Sequence, residues 1–214
     1  MKNLIIDCSA GMSIYVVCDN NIFSFVDENE KRHTDDLLVA LDKLLLDAKL
    51  KINDIENICV CVGPGSFTGV RVAISICKGL AIGSGAKVFV LSNFDCYATH
   101  EENKIIVLEG FSKFIYTRKV FAGSSVDACE DIEEFAASVK EKYADIKIYV
   151  PNEKVQNMLK KHEINSIIAQ NDVIFAFNQK IKSDEKIDLN QITPVYLRAS
   201  QAEIERDKKL KGIK

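Results

Sequence analysis

The sequence predicts an α/β fold made of two similar halves, and three observations carry that prediction. The first hundred residues alternate short apolar strands with two long helical patterns in the order β-β-β-α-β-α-β. The second half opens on strands again and partly repeats the order, which points to an old duplication although the two sequences differ. Between the fourth strand and the second helix stands Gly63-Pro64-Gly65-Ser66-Phe67-Thr68-Gly69-Val70-Arg71. Glycines this close together permit backbone approaches that side chains would block.

Each element has a local reason. Leu4-Ile5-Ile6 reads as a buried strand ending at Asp7, before the small-residue turn Cys8-Ser9-Ala10-Gly11. Strands at Ser13–Cys18 and Ile22–Val26 flank Asn20-Asn21, a hairpin signal, so the chain opens as a three-stranded antiparallel meander. A helix is expected over Thr34–Leu50, with Thr34 as N-cap and Asp35 and Asp36 at the positive end of the dipole. Leu37, Leu41, Leu44, Leu45 and Ala48 form its core face. Val39, Leu46 and Leu50 fall near the opposite side, and this second apolar stripe calls for a further packing partner. After the strand Ile58–Val62 and the glycine turn, the helix Thr68–Gly83 is apolar nearly all round. Its polar positions Arg71, Ser75 and Lys78 cluster along one narrow line, and Gly79 and Gly83 leave a shallow groove near Val72.

Val88–Leu91 completes the first half. In the second, Ile105–Leu108 ends at Glu109, and Phe114–Phe121 is a strand. Ile132–Tyr143 reads as a helix, Ile146–Val150 as a strand, Asn152–Lys161 as a helix, Ser166–Ala169 as a short strand and Asp172–Lys182 as a helix. Pro194-Val195-Tyr196-Leu197-Arg198 looks extended, and the charged tail from Ala199 is helical or frayed. The expected organisation is a first unit over 1–100 and a second over 101–198, with 199–214 joining the first.

The totals bound the function. With 214 residues, 47% hydrophobic and 28% charged, the chain has the composition of a soluble globular protein of one large or two small domains. A net charge of -3, its acidic excess confined to the first half, provides no global basic field for nucleic acid. The seven cysteines sit mostly in apolar runs, with no C-x-x-C and no signal peptide, and suggest a reduced cytoplasmic protein. The apolar stretches hold Asp, Lys or Gly and are too short for a bilayer, so no membrane is expected.

Several chemistries fail on spacing. The turn is not a P-loop, because Val70-Arg71 follows Gly69 where Lys-Ser/Thr is needed, and its G-x-G-x-x-x-G spacing misses the dinucleotide fingerprint. Gly63, Gly65, Ser66, Thr68 and Gly69 are left as a structural turn or a weak anion site at a helix start. Asp7 and Ser9, with Glu109 at the matching strand end of the second half, stand where metal- or phosphate-binding groups occur. Asp7 serves equally as a turn residue accepting local backbone hydrogen bonds. His33, His100 and His162 have no second ligand at metal spacing, so no metal and no cofactor is expected. The basic run Arg206–Lys214 is a solvated end or a contact for RNA phosphates.

The nine-residue run Gly63–Arg71 resembles the signature of the TsaB (YeaZ) family, bacterial proteins of tRNA threonylcarbamoyladenosine synthesis. Leu4-Ile5-Ile6-Asp7-Cys8-Ser9 resembles the family's opening strand and turn, His33-Thr34 its helix start, and Pro194-Val195-Tyr196-Leu197-Arg198 its Pro-x-Tyr-Leu-Arg. The likeness runs in register over almost the whole chain. It implies an actin-like ATPase (ASKHA) fold of two ribonuclease-H-like lobes. It also implies a non-catalytic scaffold that binds the catalytic paralogue TsaD, joined by TsaE, for N6-threonylcarbamoylation of adenosine 37 in tRNAs reading ANN codons. Self-pairing into a homodimer is implied when the partner is absent, and tRNA is met mainly through the complex. The family's Asp-x-Arg at the start of the second lobe is here Glu109-Gly110-Phe111, without the arginine, and residues 124–211 hold no glycine for an adenosine-binding segment. The expected partner contacts are Val39, Leu46, Arg71, Ile74, Lys78 and Ile82. The alternative is an actin-like phosphotransferase or hydrolase using Asp7 and Glu109.

Overall fold

The structure, a computed structural model, describes residues 1–19, 21–27, 36–97 and 101–198. The expectations for Asn20, His33, Thr34, Asp35, His100 and the tail from Ala199 lie outside the described residues.

The first sheet holds β1 (Lys2–Asp7), β2 (Met12–Cys18), β3 (Asn21–Asp27), β4 (Asn57–Cys61) and β5 (Lys87–Leu91), in the order β3-β2-β1-β4-β5. The meander β1-β2-β3 is antiparallel, and β4 and β5 continue it parallel to β1. The helices α1 (Leu37–Asp47) and α2 (Phe67–Ser84) connect β3 to β4 and β4 to β5. The second sheet holds β6 (Lys104–Glu109), β7 (Phe114–Phe121), β8 (Ser124–Asp131), β9 (Lys147–Val150) and β10 (Ile167–Ile168), in the order β10-β9-β6-β7-β8. Its pairings repeat those of the first sheet, two antiparallel and then two parallel. The duplicated 3-2-1-4-5 order makes each half a ribonuclease-H-like lobe and the pair an actin-like fold.

Strand alternation builds the layers. On β1, Leu4 and Ile6 face α1 and α2, while Ile5 faces the other way with Cys59, Phe89 and Leu91. On β6, Ile106 and Leu108 turn to meet that second group, while Ile105 and Val107 face α3 (Ile132–Lys142) and α4 (Glu153–Lys160). The shared middle core also takes Val173, Ala176 and Phe177 of α5 (Val173–Lys182) and Phe94 and Tyr97 of the 3-10 turn Asn93–Tyr97. The layers therefore run helices, sheet, shared core, sheet, helices. Asn152 and Asp172 cap α4 and α5 by accepting from the amides of Val155 and Phe175.

Three features differ from expectation. The strand β8 was not anticipated, since Ser-Ser-Val-Asp-Ala-Cys-Glu-Asp has neither alternation nor strand propensity. Cross-strand charges secure it: Arg118 of β7 holds Asp127 through two bonds of 2.7 and 2.8 Å, and Lys119 holds Glu130 at 2.7 Å. The stretch 101–198 is not confined to the second sheet, because Ile187, Leu189, Ile192 and Val195 pack on the first core. The Ile187 amide donates to the Val88 carbonyl and the Val195 amide to that of Val62. Finally, α2 has the length and apolarity of a membrane span, yet Val70, Ala73, Ile74, Cys77 and Ala81 pack its inner face on the first sheet.

Candidate functional site

Two surfaces compete for the functional role: the cleft beside the glycine turn and the outer face of α1 and α2.

Close approach explains the glycines. A Cβ on Gly65 would stand 2.2 Å from the Ser9 carbonyl oxygen, and one on Gly69 would stand 2.1 Å from that of Cys8. Gly63 has φ +97°, a left-handed conformation that favours glycine. The start of α2 is thus seated on the turn after β1. Its polar groups are spent on holding that seat. The Ser66 amide donates to the Ser9 carbonyl at 2.8 Å, and the Gly69 amide donates to the Ser66 hydroxyl at 3.2 Å. Buried Asn93 donates from its backbone to the Gly63 carbonyl and from its side chain to that of Pro64. Two of the amides an anion would use at this helix start are already committed, so the geometry favours the structural turn over the anion site. Thr68 is exposed on the first turn.

Asp7 behaves as a turn residue, its carboxylate accepting from the Ser9 amide at 2.8 Å. Ser9, Gly65, Ser66 and Glu109 do converge, together with Phe111 and Arg198, on one cleft of about 400 Å³ between the lobes. Asp7 does not line it, and Glu109 is paired with Lys154 at 2.6 Å. Among the described residues no group of three or more His, Cys, Asp or Glu side chains is placed to hold a metal ion. Burial pushes the Cys8 and Cys77 thiols up to about 12, helped at Cys8 by neighbouring Asp7, and holds Cys59, Cys61 and Cys96 well above their ordinary value. None of these five thiols is a ready nucleophile.

The helix face is different. Leu37, Ala40, Leu41, Leu44 and Leu45 bury one side of α1, while Val39 and Leu46 are 54% and 69% exposed on the other. Leu38, absent from the expected contacts, is exposed beside them, and Leu50 instead packs partly on the first core. On α2, Ile82 is 74% exposed, Arg71 is exposed and Lys78 is half-buried. Ile74 is a correction: at 5% exposure it belongs to the core. At roughly 100° per residue it stands about 60° from Arg71, but it lies closer to the inward row of Val70, Cys77 and Ala81. Gly79 and Gly83 have nothing within 4 Å of a would-be Cβ and leave the expected groove open.

The carboxy-terminal strap reaches this face as well. Tyr196 stacks on Phe67 with ring centres 4.5 Å apart and planes 6° from parallel. The Arg71 Nε donates to the Tyr196 hydroxyl, with the guanidinium 5.3 Å from the centre of the Tyr196 ring and 5.8 Å from that of Phe67. The glycine run and the Pro-Val-Tyr-Leu-Arg segment, far apart in sequence, therefore meet side chain to side chain. Nothing in the residue pattern alone announced that contact.

Comparison with known proteins gives a consistent result. The family "TsaD: tRNA N6-adenosine threonylcarbamoyltransferase" matches residues 27–110. A Haemophilus influenzae "tRNA threonylcarbamoyladenosine biosynthesis protein TsaB" is 32% identical over 97 residues, 42% of this chain and 41% of that protein. The matched stretch thus spans about two-fifths of that relative's length. The protein of the same name from Buchnera aphidicola subsp. Baizongia pistaciae is 24% identical over 204 residues, covering 86% of this chain and 92% of that one. Among solved structures, a Pseudomonas aeruginosa protein described as similar to the peptidase YeaZ shares the fold. Its TM-score is 0.73 at 19% identity, with 92% of this chain and 99% of that one covered.

Proposed function

Because this chain belongs to the TsaB (YeaZ) family, we propose that it is a non-catalytic, cytoplasmic subunit of the machinery that makes threonylcarbamoyladenosine in tRNA. In this reading it binds the paralogous threonylcarbamoyltransferase TsaD through α1 and α2, is joined by TsaE, and meets tRNA through the complex. Without the partner, the same face pairs with a second copy of itself.

One observation carries the reading. Leu38, Val39 and Leu46 of α1 and Ile82 of α2 are exposed on helices whose other sides are fully used in the core. Large apolar side chains left exposed on helices whose inner sides already fill the core mark an association surface. The match of residues 27–110 to the TsaD family spans both helices, which suits pairing between paralogues through like elements. Replacing Val39 and Leu46 together by Asp is expected to abolish co-purification with TsaD from the same genome and to leave the melting temperature unchanged. Wild-type affinity in the double variant removes the proposed interface.

The cleft supports the alternative of a nucleotide-dependent phosphotransferase or hydrolase, since Ser9, Ser66 and Glu109 line it. The committed amides of the glycine turn and the Glu109–Lys154 pair weigh against it. Calorimetry of the isolated protein with ATP and Mg²⁺ is expected to show no binding, and tight binding reverses the preference.

A further inference from the structure

We infer that Tyr196 holds the Arg71 guanidinium as a pre-set fork on the partner-binding face, and that this fork takes a carboxylate of the partner protein. The inference rests on the proposed interface and goes further, by assigning a positioning residue and the chemistry it serves.

An exposed arginine on a helix ordinarily samples many rotamers and loses that freedom when it binds. Arg71 is exposed, yet its Nε donates to the Tyr196 hydroxyl and its guanidinium lies beside the stacked rings of Phe67 and Tyr196. Tyr196 is itself fixed. Its ring is stacked on Phe67 in the first turn of α2, and the neighbouring Val195 amide donates to the Val62 carbonyl. The hydrogen bond uses Nε only. The two terminal nitrogens have no hydrogen-bond or ion-pair partner among the described residues. What remains is the end-on pair of a planar cation, the geometry that matches two carboxylate oxygens.

The surroundings favour an acid as the acceptor. Lys78, half-buried two turns further along α2, is likewise in no ion pair among the described residues, so this line of the helix is basic. A neutral acceptor there would leave the charge unmatched as water is excluded, whereas a carboxylate matches it. The side chain opposite α2 is thus an aspartate or glutamate. The strap, which carries no expected contact of its own, acts on the interface through Arg71.

The test measures the affinity of the threonylcarbamoyltransferase paralogue from the same genome for four forms of the full chain: wild type, Tyr196→Phe, Arg71→Lys and Arg71→Gln. Melting temperature serves as the check on folding. Tyr196→Phe keeps the stacked ring and loses only the hydroxyl, so it is expected to melt as wild type and bind about 5- to 10-fold more weakly. Arg71→Lys keeps the charge and loses the fork, for a loss of about 10-fold, and Arg71→Gln loses more and flattens the salt dependence. The double variant Tyr196→Phe/Arg71→Lys is expected to bind no more weakly than Arg71→Lys, because the hydroxyl acts only through the guanidinium. Wild-type binding by Tyr196→Phe, or multiplying losses in the double variant, overturns the positioning role. Equal binding by the Lys and Gln variants overturns the carboxylate. If Val39→Asp/Leu46→Asp abolishes binding while Tyr196→Phe does not weaken it, only this inference fails. If the aspartate pair has no effect, the interface itself is wrong.

Discussion

Substituting alanine at two glycines of one helix sets helix propensity against packing, and the structure decides the sign at each. Gly69 and Gly79 both lie within α2. Propensity alone makes either change stabilising by about 1 kcal/mol, since alanine loses less conformational freedom on folding. At Gly79 nothing lies within 4 Å of the added methyl group, so most of that gain should appear, about 0.5–1 kcal/mol. At Gly69 the methyl group would stand 2.1 Å from the Cys8 carbonyl oxygen and 3.2 Å from the Cys8 Cβ. The obstacle is backbone and cannot rotate away. The helix start must lift by about 1 Å, straining its bonds to the turn after β1, and overpacking of that kind costs about 3 kcal/mol. Net of propensity, Gly69→Ala should lose about 2 kcal/mol. For a chain of this length that is a fall of about 4–8 °C in melting temperature, against a rise of about 2 °C for Gly79→Ala. Urea titration gives the free energies directly and reveals any change in slope. A Gly69→Ala protein as stable as wild type refutes the explanation of the glycine run as a seat for α2, whatever Gly79→Ala does.

Two further predictions concern the second lobe and the thiols. Arg118, with its side chain 17% exposed, joins β7 to Asp127 of β8 and to Asp95 in the turn that follows the first sheet. Arg118→Met should cost about 2 kcal/mol, less than the 3–5 kcal/mol of a fully buried pair because both carboxylates keep some solvent. A loss below about 0.5 kcal/mol in urea titration contradicts the assignment of this arginine as the staple of β8. With Cys8 and Cys77 held at about 12 by burial, iodoacetamide at pH 8 should modify them only after unfolding, while partly exposed Cys18 reacts in the native protein. Peptide mass spectrometry reads the sites, and native labelling of Cys8 at the rate of Cys18 contradicts the burial argument.

The strands and helices that build the cores were legible because their hydrophobic period matches their geometry. Leu4-Ile5-Ile6 and Ile105–Leu108 are apolar on both faces because each central strand is covered on both sides. Ser124–Asp131 was not legible for the opposite reason: as an edge strand it buries little, and its pairing rests on Asp127 and Glu130 meeting Arg118 and Lys119 across the ladder. Such pairing depends on register, which composition does not carry. Ile74 failed for a third reason. In a helix apolar nearly all round, periodicity leaves the inward direction poorly defined, and the row Val70-Ala73-Cys77-Ala81 is recognisable only once the sheet beneath it is known.

The candidate site divides along the same line. Val39 and Leu46 were legible as a second stripe because one apolar face already satisfied the core, and surplus hydrophobicity on a helix is a sequence-level quantity. The state of Arg71 was not, because it depends on Tyr196, 125 positions away along the chain. A strap that leaves the second lobe, bonds through the Val195 amide to Val62 just beyond β4 and ends against the first turn of α2 brings that phenol into place. The glycine run is what makes the arrangement possible. Gly65 and Gly69 lower the helix start onto the turn after β1, and this fixes Phe67 where the Tyr196 ring stacks on it. A run that looks like a phosphate cradle in sequence therefore acts at the opposite end of the chemistry. It sets the position of α2 within the first lobe, and with it the direction in which Arg71 and Ile82 point on the proposed partner face.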